Sequence, residues 1–339
     1  MSVISLKCPN CGAELIFDPA TQKYKCEYCQ SLFSQEEADG LQQQGGQDAD
    51  GVVYHCPSCG AEIVTDQTTA ASFCYYCHNP VVLGGRLGGE FLPDKIIPFS
   101  VGRTEAKKLF LEYFKKKKFI PKAFFNKNQM DHLSGVYFPY WVYQASIKGS
   151  MTAKGTRKRI WVSGGQEFTE TRFFEIEREG NIALEDMTEN ALKKANHVLA
   201  EGILPYRMRG AKPFRFGFLS GFLAEKRDIE KSQISQKLKK EAEEYAEKML
   251  RESVGGYQTV TGTQTRYVTQ QEKYEYVLLP VWTLTYQGKN NKTYYYSMNG
   301  QTKKVCGMLP VDYKKVALTA FLSAITVFLS LLAGGYFLW

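Results

Sequence analysis

The longest uninterrupted hydrophobic stretch of the chain runs from Val316 to Trp339, and its 24 residues carry no charge. As an α-helix it would be about 36 Å long, enough to cross a hydrocarbon layer of about 30 Å. Lys314 and Lys315 precede it, and Tyr336 and Trp339 lie at its far end, where aromatic side chains suit a membrane interface. The pattern predicts a transmembrane tail anchor over residues 316–339. The alternative is a buried helix of a soluble domain, but such helices seldom run so long without a polar face.

Between residues 91 and 310 the hydrophobic positions recur with both helical and strand periodicity. The segment TEAKKLFLEYFKKKK predicts a helix with Thr104 as its cap. Aromatic and β-branched residues from Gly135 predict strands, and RIWVSGGQEFTETRFFEI predicts a hairpin centred on Gly164 and Gly165. The pattern also predicts two further helices, over residues 184–199 and 228–253. Together these elements predict an α+β domain.

Two aromatic segments of this domain resemble each other. VYFPYWVYQASIKG and YVLLPVWTLTYQGK align at a shift of 141 residues, which places Pro139 and Trp141 over Pro280 and Trp282. An internally duplicated α/β unit would explain the similarity, and so would two central strands whose tryptophans pack in one core. An Asn-Gly pair at 299–300 follows the second segment and predicts a hairpin turn.

A repeated cysteine pattern occupies the amino-terminal part of the chain. CPNCGAEL and KCEYC are followed, 48 residues later, by CPSCGAEI and FCYYC. Two intervening residues let a tight turn aim both sulfurs at one ion, and two such turns complete a tetrahedral shell of thiolates. The spacing predicts two small β zinc ribbons, each with one Zn²⁺. The expected ligands are Cys8, Cys11, Cys26 and Cys29 for one ion and Cys56, Cys59, Cys74 and Cys77 for the other.

Both zinc sites are predicted to be structural. A shell of four thiolates leaves no open position for a catalytic water. His55 and His78 stand beside ligands of the second set, but the four cysteines already complete the shell. Both histidines are therefore expected to be exposed flanking residues. The competing interpretation, disulfides or a redox-active pair, requires an oxidising compartment or a βαβ context, and the sequence indicates neither.

Composition predicts a multidomain chain. The expected divisions are zinc ribbon 1 (7–33), a flexible acidic linker (34–50), zinc ribbon 2 (53–83), a glycine-rich linker (84–90), a basic aromatic-rich α+β domain (91–310) and the transmembrane anchor (316–339). The first linker, SQEEADGLQQQGGQDAD, is polar and contains glycine. We therefore expect it to let the ribbons move independently.

The net charge of +8 is unevenly distributed along the chain. Residues 1–90 hold 4 Lys and Arg against 11 Asp and Glu, a net charge of −7, and the rest of the chain carries +15. Ribbons that bind nucleic acid present Lys and Arg to phosphate. The second ribbon has no Lys or Arg from position 51 to position 83. The charge pattern therefore favours ribbons that dock on protein.

Basic residues of the large domain gather in three clusters. Close to an anionic leaflet, each Lys or Arg contributes about 1 kcal/mol to the free energy of membrane binding. Contact with anionic lipid head groups is one interpretation of the clusters, and a merely solvated surface is the other. The residues are Lys115, Lys116, Lys117 and Lys118, then Arg157, Lys158 and Arg159, and finally Arg207 and Arg209.

Catalytic motifs are not found. The chain has four histidines, and no pattern of Asp and Glu places an acid and a base at a defined spacing. The glycine runs SGGQ and GGRLGG lack the Gly-Lys-Ser/Thr ending of a phosphate-binding loop. Cys306 stands alone in a predicted strand, where a buried, inert thiol is the usual case. We predict a chain that is not an enzyme and has no small-molecule substrate.

The tandem ribbons, the YFPYW and LLPVW strands, the segment MNGQTKKVCG and the C-terminal span resemble bacterial double-zinc-ribbon, membrane-anchored proteins of the YdjG-like type. The resemblance covers almost the whole chain. It implies a non-enzymatic adaptor in a phage-shock-type envelope stress response. The implied partners are an SPFH (flotillin-like) protein, a PspA-like membrane-remodelling protein and a sister membrane protein. The alternative is a membrane-tethered nucleic-acid-binding protein, associated with replication or transcription, that uses the basic clusters.

Residues near both ends of the chain predict the same cellular compartment. Lys314 and Lys315 place the amino-terminal side of the span in the cytoplasm, because positively charged flanks are retained there. Reduced thiolates available for zinc agree with a cytoplasmic compartment. We therefore expect a single-pass protein of the cell membrane with nearly all of its chain in the cytoplasm.

Overall fold

A large mixed β-sheet dominates the structure. The structure is a computed structural model, and it describes residues 2–47, 53–55, 62–64, 68–73, 80–83, 87, 89–121, 133–287, 293–308 and 310–338. The strands are β1 (Ser2–Leu6), β2 (Leu15–Asp18), β3 (Lys23–Cys26), β4 (Leu32–Phe33), β5 (Gln42–Gln47), β6 (Val53–His55), β7 (Glu62–Val64), β8 (Thr69–Phe73), β9 (Pro80–Leu83), β10 (Lys95–Ile96), β11 (Ser134–Ser163), β12 (Gln166–Asn190), β13 (Lys212–Pro213), β14 (Leu223–Glu225), β15 (Thr259–Gln287), β16 (Thr293–Asn299) and β17 (Val305–Gly307). The helices are α1 (Gln35–Asp39), α2 (Arg103–Lys115), α3 (His197–Gly202), α4 (Lys231–Glu252) and α5 (Tyr313–Leu338).

Two long antiparallel strands form the centre of this sheet. β11 has 30 residues and β15 has 29, and they pair from Ser134 opposite Thr283 to Thr156 opposite Thr259. Their β-branched and aromatic residues suit a pleated, half-buried backbone. β12 pairs with the other side of β11. The sheet has 12 strands in the order β13-β10-β15-β11-β14-β8-β9-β1-β5, with β12 on β11, β16 on β15 and β17 on β16.

The two similar aromatic segments are direct neighbours in the sheet. Tyr137 lies opposite Pro280 and Pro139 lies opposite Leu278, so the segments are related by the local twofold symmetry of one antiparallel pair. A single central strand pair therefore accounts for the repeat. The separate α/β units that an internal duplication would produce are not present in the described residues.

Aromatic side chains fill the core beside this strand pair. The ring of Phe99 stacks on Phe222 with centroids 4.2 Å apart and meets the edges of Tyr137 at 4.9 Å and Trp282 at 5.2 Å. The indole N–H of Trp282 donates to the carbonyl of Val101 at 3.0 Å, so the buried polar group is satisfied. This cluster joins the segment before α2 to β11, β15 and the loop before β14.

Helix α4 covers one face of the sheet formed by β12, β11 and β15. Its buried residues recur every four positions, as expected of a helix that packs along one stripe. Gly149 on β11 makes room for Leu250, whose Cδ1 would lie 2.9 Å from a Cβ at that position. The buried residues of the helix are Ile234, Leu238, Ala242, Ala246 and Leu250.

Several local predictions can be compared with these elements. The helix near Thr104 is confirmed as α2, although its N-cap is Gly102. The hairpin is confirmed, with Ser163 opposite Gln166 and both intervening glycines at positive φ. The helix predicted over 184–199 is wrong. β12 continues to Asn190 in that segment because its residues extend the ladder with β11, and α3 begins only at His197.

The predicted fold class, two separate zinc ribbons beside an α+β domain, is wrong. β8 and β9, from the segment assigned to the second ribbon, belong to the large sheet: Ala71 pairs with Ala224 of β14, and Val82 pairs with Ile4 of β1. Backbone pairing with distant parts of the chain thus places β8 and β9 in the large sheet, although the local cysteine repeat predicted that they belong to a ribbon. The described residues form mostly one large mixed sheet with helices, one four-cysteine cluster and a C-terminal apolar helix.

We predict that Phe99→Ala destabilises the protein by about 3–5 kcal/mol, because it removes the ring shared by three aromatic contacts. Phe173→Ala is the matched control, since Phe173 is 80% exposed and its loss should change the free energy of unfolding by no more than about 0.5 kcal/mol. Denaturant unfolding of the detergent-solubilised protein measures both values. Equal effects of the two substitutions would contradict this description of the core.

Candidate metal centre

Two tight turns present the four cysteines of the first set. In the first turn, the Cys8 N–H donates to the carbonyl of Ala13 at 2.7 Å, and the Gly12 N–H donates to the carbonyl of Cys8 at 2.8 Å. Gly12 has a φ of 73°, which is accessible to glycine without steric cost. The residue after the second cysteine therefore closes the turn.

The second turn repeats this arrangement with different residues. The Cys26 N–H donates to the carbonyl of Ser31, and the Gln30 N–H donates to the carbonyl of Cys26, both at 2.9 Å. Gln30 takes the position of the glycine with a φ of 61°. The side chain of Asn10 in the first turn donates to Ser31 Oγ at 2.9 Å, so the two turns are joined beside the sulfurs.

The four sulfurs have the spacing of a tetrahedral thiolate site. Sγ of Cys8 lies 3.6 Å from Sγ of Cys29, and Sγ of Cys11 lies 3.5 Å from Sγ of Cys26. All four lie within 4.8 Å of one another. A Zn–S bond of about 2.3 Å gives sulfur separations of about 3.8 Å in a regular tetrahedron. The residues therefore fit one tetrahedral metal ion.

The electrostatics of the cluster also favour a cation. Hydrogen bonds from the side chain and backbone of Ser31 lower the pKa of Cys29 to about 6. The backbone of Ala13 acts to lower the pKa of Cys11, but desolvation and the neighbouring thiols together raise it to about 12. Thiolates packed this closely repel one another, and a divalent cation bound between them offsets that repulsion.

The ribbon that carries this cluster is packed against the large sheet. The Phe17 N–H donates to the carbonyl of Ser220 at 3.1 Å, and Ser220 Oγ donates to the carbonyl of Leu15. Phe17 also meets the ring of Phe218 at 5.3 Å, and both rings are buried. Gly221 permits the close approach, because a Cβ there would lie 2.2 Å from Ile16. The first ribbon is thus docked on the body of the protein.

The segment predicted as a flexible linker, 34–50, contains regular structure. Ser34 caps α1 in a capping box with Glu37, and β5 pairs with β1 at the end of the large sheet. Asp39 at the end of α1 forms an ion pair with Arg215, next to the segment on which the ribbon docks. These contacts attach the carboxyl side of the ribbon to the body as well.

The base of α5 lies against the segment that follows α2. The Asp312 N–H donates to the carbonyl of Phe119 at 2.7 Å, and Lys315 Nζ donates to the carbonyl of Ile120 at 2.6 Å. Beyond this base, the side chains of α5 are exposed as far as Leu332, the last of them that the structure describes. Among the described residues it is the one helix that is long and apolar enough to cross a membrane. It is therefore a candidate membrane span.

The structure places the three basic clusters at different sites. Lys115 is the last residue of α2, and Lys116 to Lys118 lead directly to Phe119, whose carbonyl accepts the hydrogen bond from Asp312 at the base of α5. Arg157, Lys158 and Arg159 lie on the outer part of β11, and Arg207 and Arg209 lie around a 3-10 turn whose backbone contacts Gln301. The lysine cluster is thus joined to the base of the candidate membrane span through Phe119.

The remaining predicted residues fall partly inside and partly outside the described part of the chain. Cys56, Cys59, Cys74, Cys77, His78 and Trp339 lie outside the described residues, while His55 ends β6 and Tyr336 lies in the last turns of α5. Cys306 was expected to be buried, which is wrong: it lies on the short strand β17 and is partly exposed, with its sulfur 3.8 Å from the carbonyl of Val198.

A polar cleft of about 270 Å³ was not anticipated from the sequence. Asp186 lines it at a bulge of β12 with a φ of 63°, and burial raises the pKa of its carboxyl group. Lys95 lines the same cleft and pairs with Glu275 at 2.9 Å. These residues are far apart in the chain and have no motif, so only the fold brings them together.

The fold and the site define a class: proteins with a large mixed β-sheet, a four-cysteine candidate metal centre and a C-terminal candidate membrane span. The chain is 34% identical to the uncharacterized protein YdjG of Bacillus subtilis (strain 168) over 340 residues, which cover 99% of this chain and 96% of YdjG. It belongs to the same family as YdjG, which confirms that part of the resemblance. No protein-family model and no solved structure matches the chain.

We predict that Cys8→Ser combined with Cys26→Ser lowers the bound zinc by one ion per chain, because both buried ligands of the cluster are removed. Cys306→Ser is the matched control and should leave the zinc content unchanged. Inductively coupled plasma mass spectrometry of the purified protein measures the ratio. An unchanged zinc content in the double variant would exclude this cluster as a zinc site.

Proposed function

We propose that this protein is a non-enzymatic adaptor, anchored in the membrane by α5, that recruits soluble proteins to the membrane surface. The observation that carries the proposal is the position of α5. Its apolar side chains are exposed along the helix, and its base is fixed to the body by contacts with Phe119 and Ile120. A long apolar helix whose described side chains are exposed along its length suits a bilayer.

The charges around the base of α5 support a cytoplasmic orientation of the body. Lys115 to Lys118 lead to Phe119, which contacts the base of α5, and Lys314 and Lys315 lie in its first turn. Positively charged residues at such an end of a span are retained on the cytoplasmic side. The four-thiolate cluster supports the same orientation, since reduced thiols that bind zinc are typical of the cytoplasm. The body, including the docked ribbon, would then lie next to the inner leaflet.

The bound zinc has a structural task in this proposal. The shell is closed by four cysteines, and the hairpin it organises carries Phe17, which packs on Phe218 of the body. The acidic amino-terminal region and the long sheet would offer surfaces for partner proteins. The lack of a recognisable catalytic motif supports a binding role.

The identity of the partners rests on the resemblance to the YdjG-like type. We propose an SPFH (flotillin-like) protein, a PspA-like protein and a sister membrane protein, in a phage-shock-type envelope stress response. An adaptor at the inner leaflet suits such a system, because its task would be to concentrate soluble proteins at a damaged membrane.

The lysine cluster at the base of α5 should bind anionic lipid. We predict that Lys115→Gln combined with Lys116→Gln weakens the retention of anionic lipid by about 30-fold, since each charge contributes about 1 kcal/mol near the surface. Lys240→Gln combined with Lys248→Gln is the matched control, because these two lysines are also exposed but lie on α4. Native mass spectrometry of the full chain from mixed micelles measures bound lipid, and equal losses in both variants would contradict the proposed contact.

In-cell crosslinking followed by mass spectrometry tests the adaptor function. The full chain should recover SPFH and PspA-like proteins, and Ile325→Asp combined with Phe328→Asp, which puts charge into the span, should lose them together with the membrane fraction. Recovery of replication proteins or nucleic acid, without an SPFH or PspA-like partner, would contradict the proposal and support the nucleic-acid-binding alternative.

A further inference from the structure

The hairpin of β11 and β12 extends beyond the rest of the sheet. β15 pairs with β11 only as far as Thr156, whereas β11 continues to Ser163 and β12 returns from Gln166. The last seven or so residues of each strand therefore form a two-stranded ribbon about 23 Å long at a rise of about 3.3 Å per residue. We call residues 157–172 the hairpin tip.

The hairpin tip exposes a group of large apolar side chains. Ile160 is 60% exposed, Trp161 43%, Val162 70% and Phe168 42%. The rings of Trp161 and Phe168 stack across the two strands with centroids 5.7 Å apart. Exposed apolar groups of this size, concentrated in one place, are typical of an interaction surface.

These side chains occupy both faces of the hairpin. Trp161 pairs with Phe168, so the two rings share one face, while Ile160 and Val162 alternate with Trp161 and lie on the other face. A protein that docks on one face would leave the other face in water. A bilayer interface surrounds what enters it, so lipid is the occupant that covers both faces.

Positive charge adjoins the apolar group. Between positions 154 and 172 there are 5 Lys and Arg against 2 Asp and Glu, a net charge of +3. Arg159 lies over the ring of Trp161 at 5.7 Å, and Glu170 is paired with Arg172 at 2.8 Å. Basic residues next to aromatic residues complement an anionic leaflet at the level of the head groups.

The hairpin tip and the base of α5 lie at opposite ends of β11. The base of α5 contacts Phe119, which follows α2, and Phe114 of α2 packs on Tyr296 of β16. β16 pairs with β15, which in turn pairs with the first residue of β11, Ser134. The 30 residues of β11 reach at most about 100 Å. For both ends to touch one bilayer, β11 must run along the membrane surface.

We propose that the hairpin tip inserts into the interface of the bilayer that holds α5, with Ile160, Trp161, Val162 and Phe168 among the lipid head groups and upper acyl chains. The protein is then attached at both ends of β11, which holds its sheet alongside the membrane. This inference rests on the proposed anchoring by α5.

Quenching of Trp161 by brominated lipid tests the insertion. The full chain with Trp339→Phe is reconstituted into vesicles of anionic lipid with brominated acyl chains, and its fluorescence is compared with that of the Trp161→Phe, Trp339→Phe variant. Trp141 and Trp282 remain in both and are 7% and 3% exposed. We expect quenching by the brominated lipid in the chain that keeps Trp161 and its loss in the variant without Trp161, because only Trp161 meets the lipid.

Two further comparisons make the result decisive. Ile160→Ser combined with Val162→Ser should abolish the extra quenching, whereas Val268→Ser, an equally exposed apolar residue on β15, should preserve it. Brominated vesicles without protein, added to unbrominated proteoliposomes, should not quench Trp161. Quenching by the added vesicles alone would mean contact with a second membrane and would overturn the proposal.

Resistance to alkaline carbonate extraction, measured on the same proteoliposomes, separates this inference from the proposed anchoring. A chain that resists extraction but shows no quenching of Trp161 is anchored by α5 without insertion of the tip, and the inference is then wrong. A chain that is extracted is not anchored by α5, and the proposed function fails with it.

Discussion

The long antiparallel pairing of β11 with β15 is the interaction on which the rest of the structure depends. It aligns Tyr137 with Pro280 and brings Trp282 to the aromatic core around Phe99. It also forms, with β12, the face that receives α4. Because the pairing continues for more than twenty residues, the sheet has two ends that are far apart, and each end has its own surface chemistry.

One end of the sheet carries the contacts with α2 and the base of α5, and the other carries the exposed hairpin tip. The four-cysteine ribbon packs on Phe218 and Ser220, so the turns of the candidate metal centre belong to a hairpin that is already part of the body. A closed thiolate shell would stabilise this packing because it holds the ends of the hairpin in register. The proposed adaptor therefore joins the ribbon and the sheet in one packed body, with the candidate membrane span at its base.

Local patterns predicted the parts of the structure that depend on local interactions. The spacing of Cys8, Cys11, Cys26 and Cys29 predicted their cluster, the two glycines at 164–165 predicted the hairpin, and the uncharged C-terminal segment predicted a candidate span. Pairing between distant segments was not predictable in this way. The cysteine repeat suggested a second ribbon, yet β8 pairs with β14, more than 150 residues later. The docking of Phe17 on Phe218 and the cleft at Asp186 likewise arise only in the folded chain.

Hydrogen–deuterium exchange of the full chain in detergent, resolved by mass spectrometry, tests the central pairing most directly. Paired amides along a continuous ladder exchange slowly as one cooperative unit. The account predicts slow exchange through residues 135–156 and 259–282, with faster exchange across residues 158–170, where β15 no longer covers β11. Slow exchange confined to residues 135–143, with rapid exchange from 145 to 156, would show that the long ladder does not exist and would contradict the account.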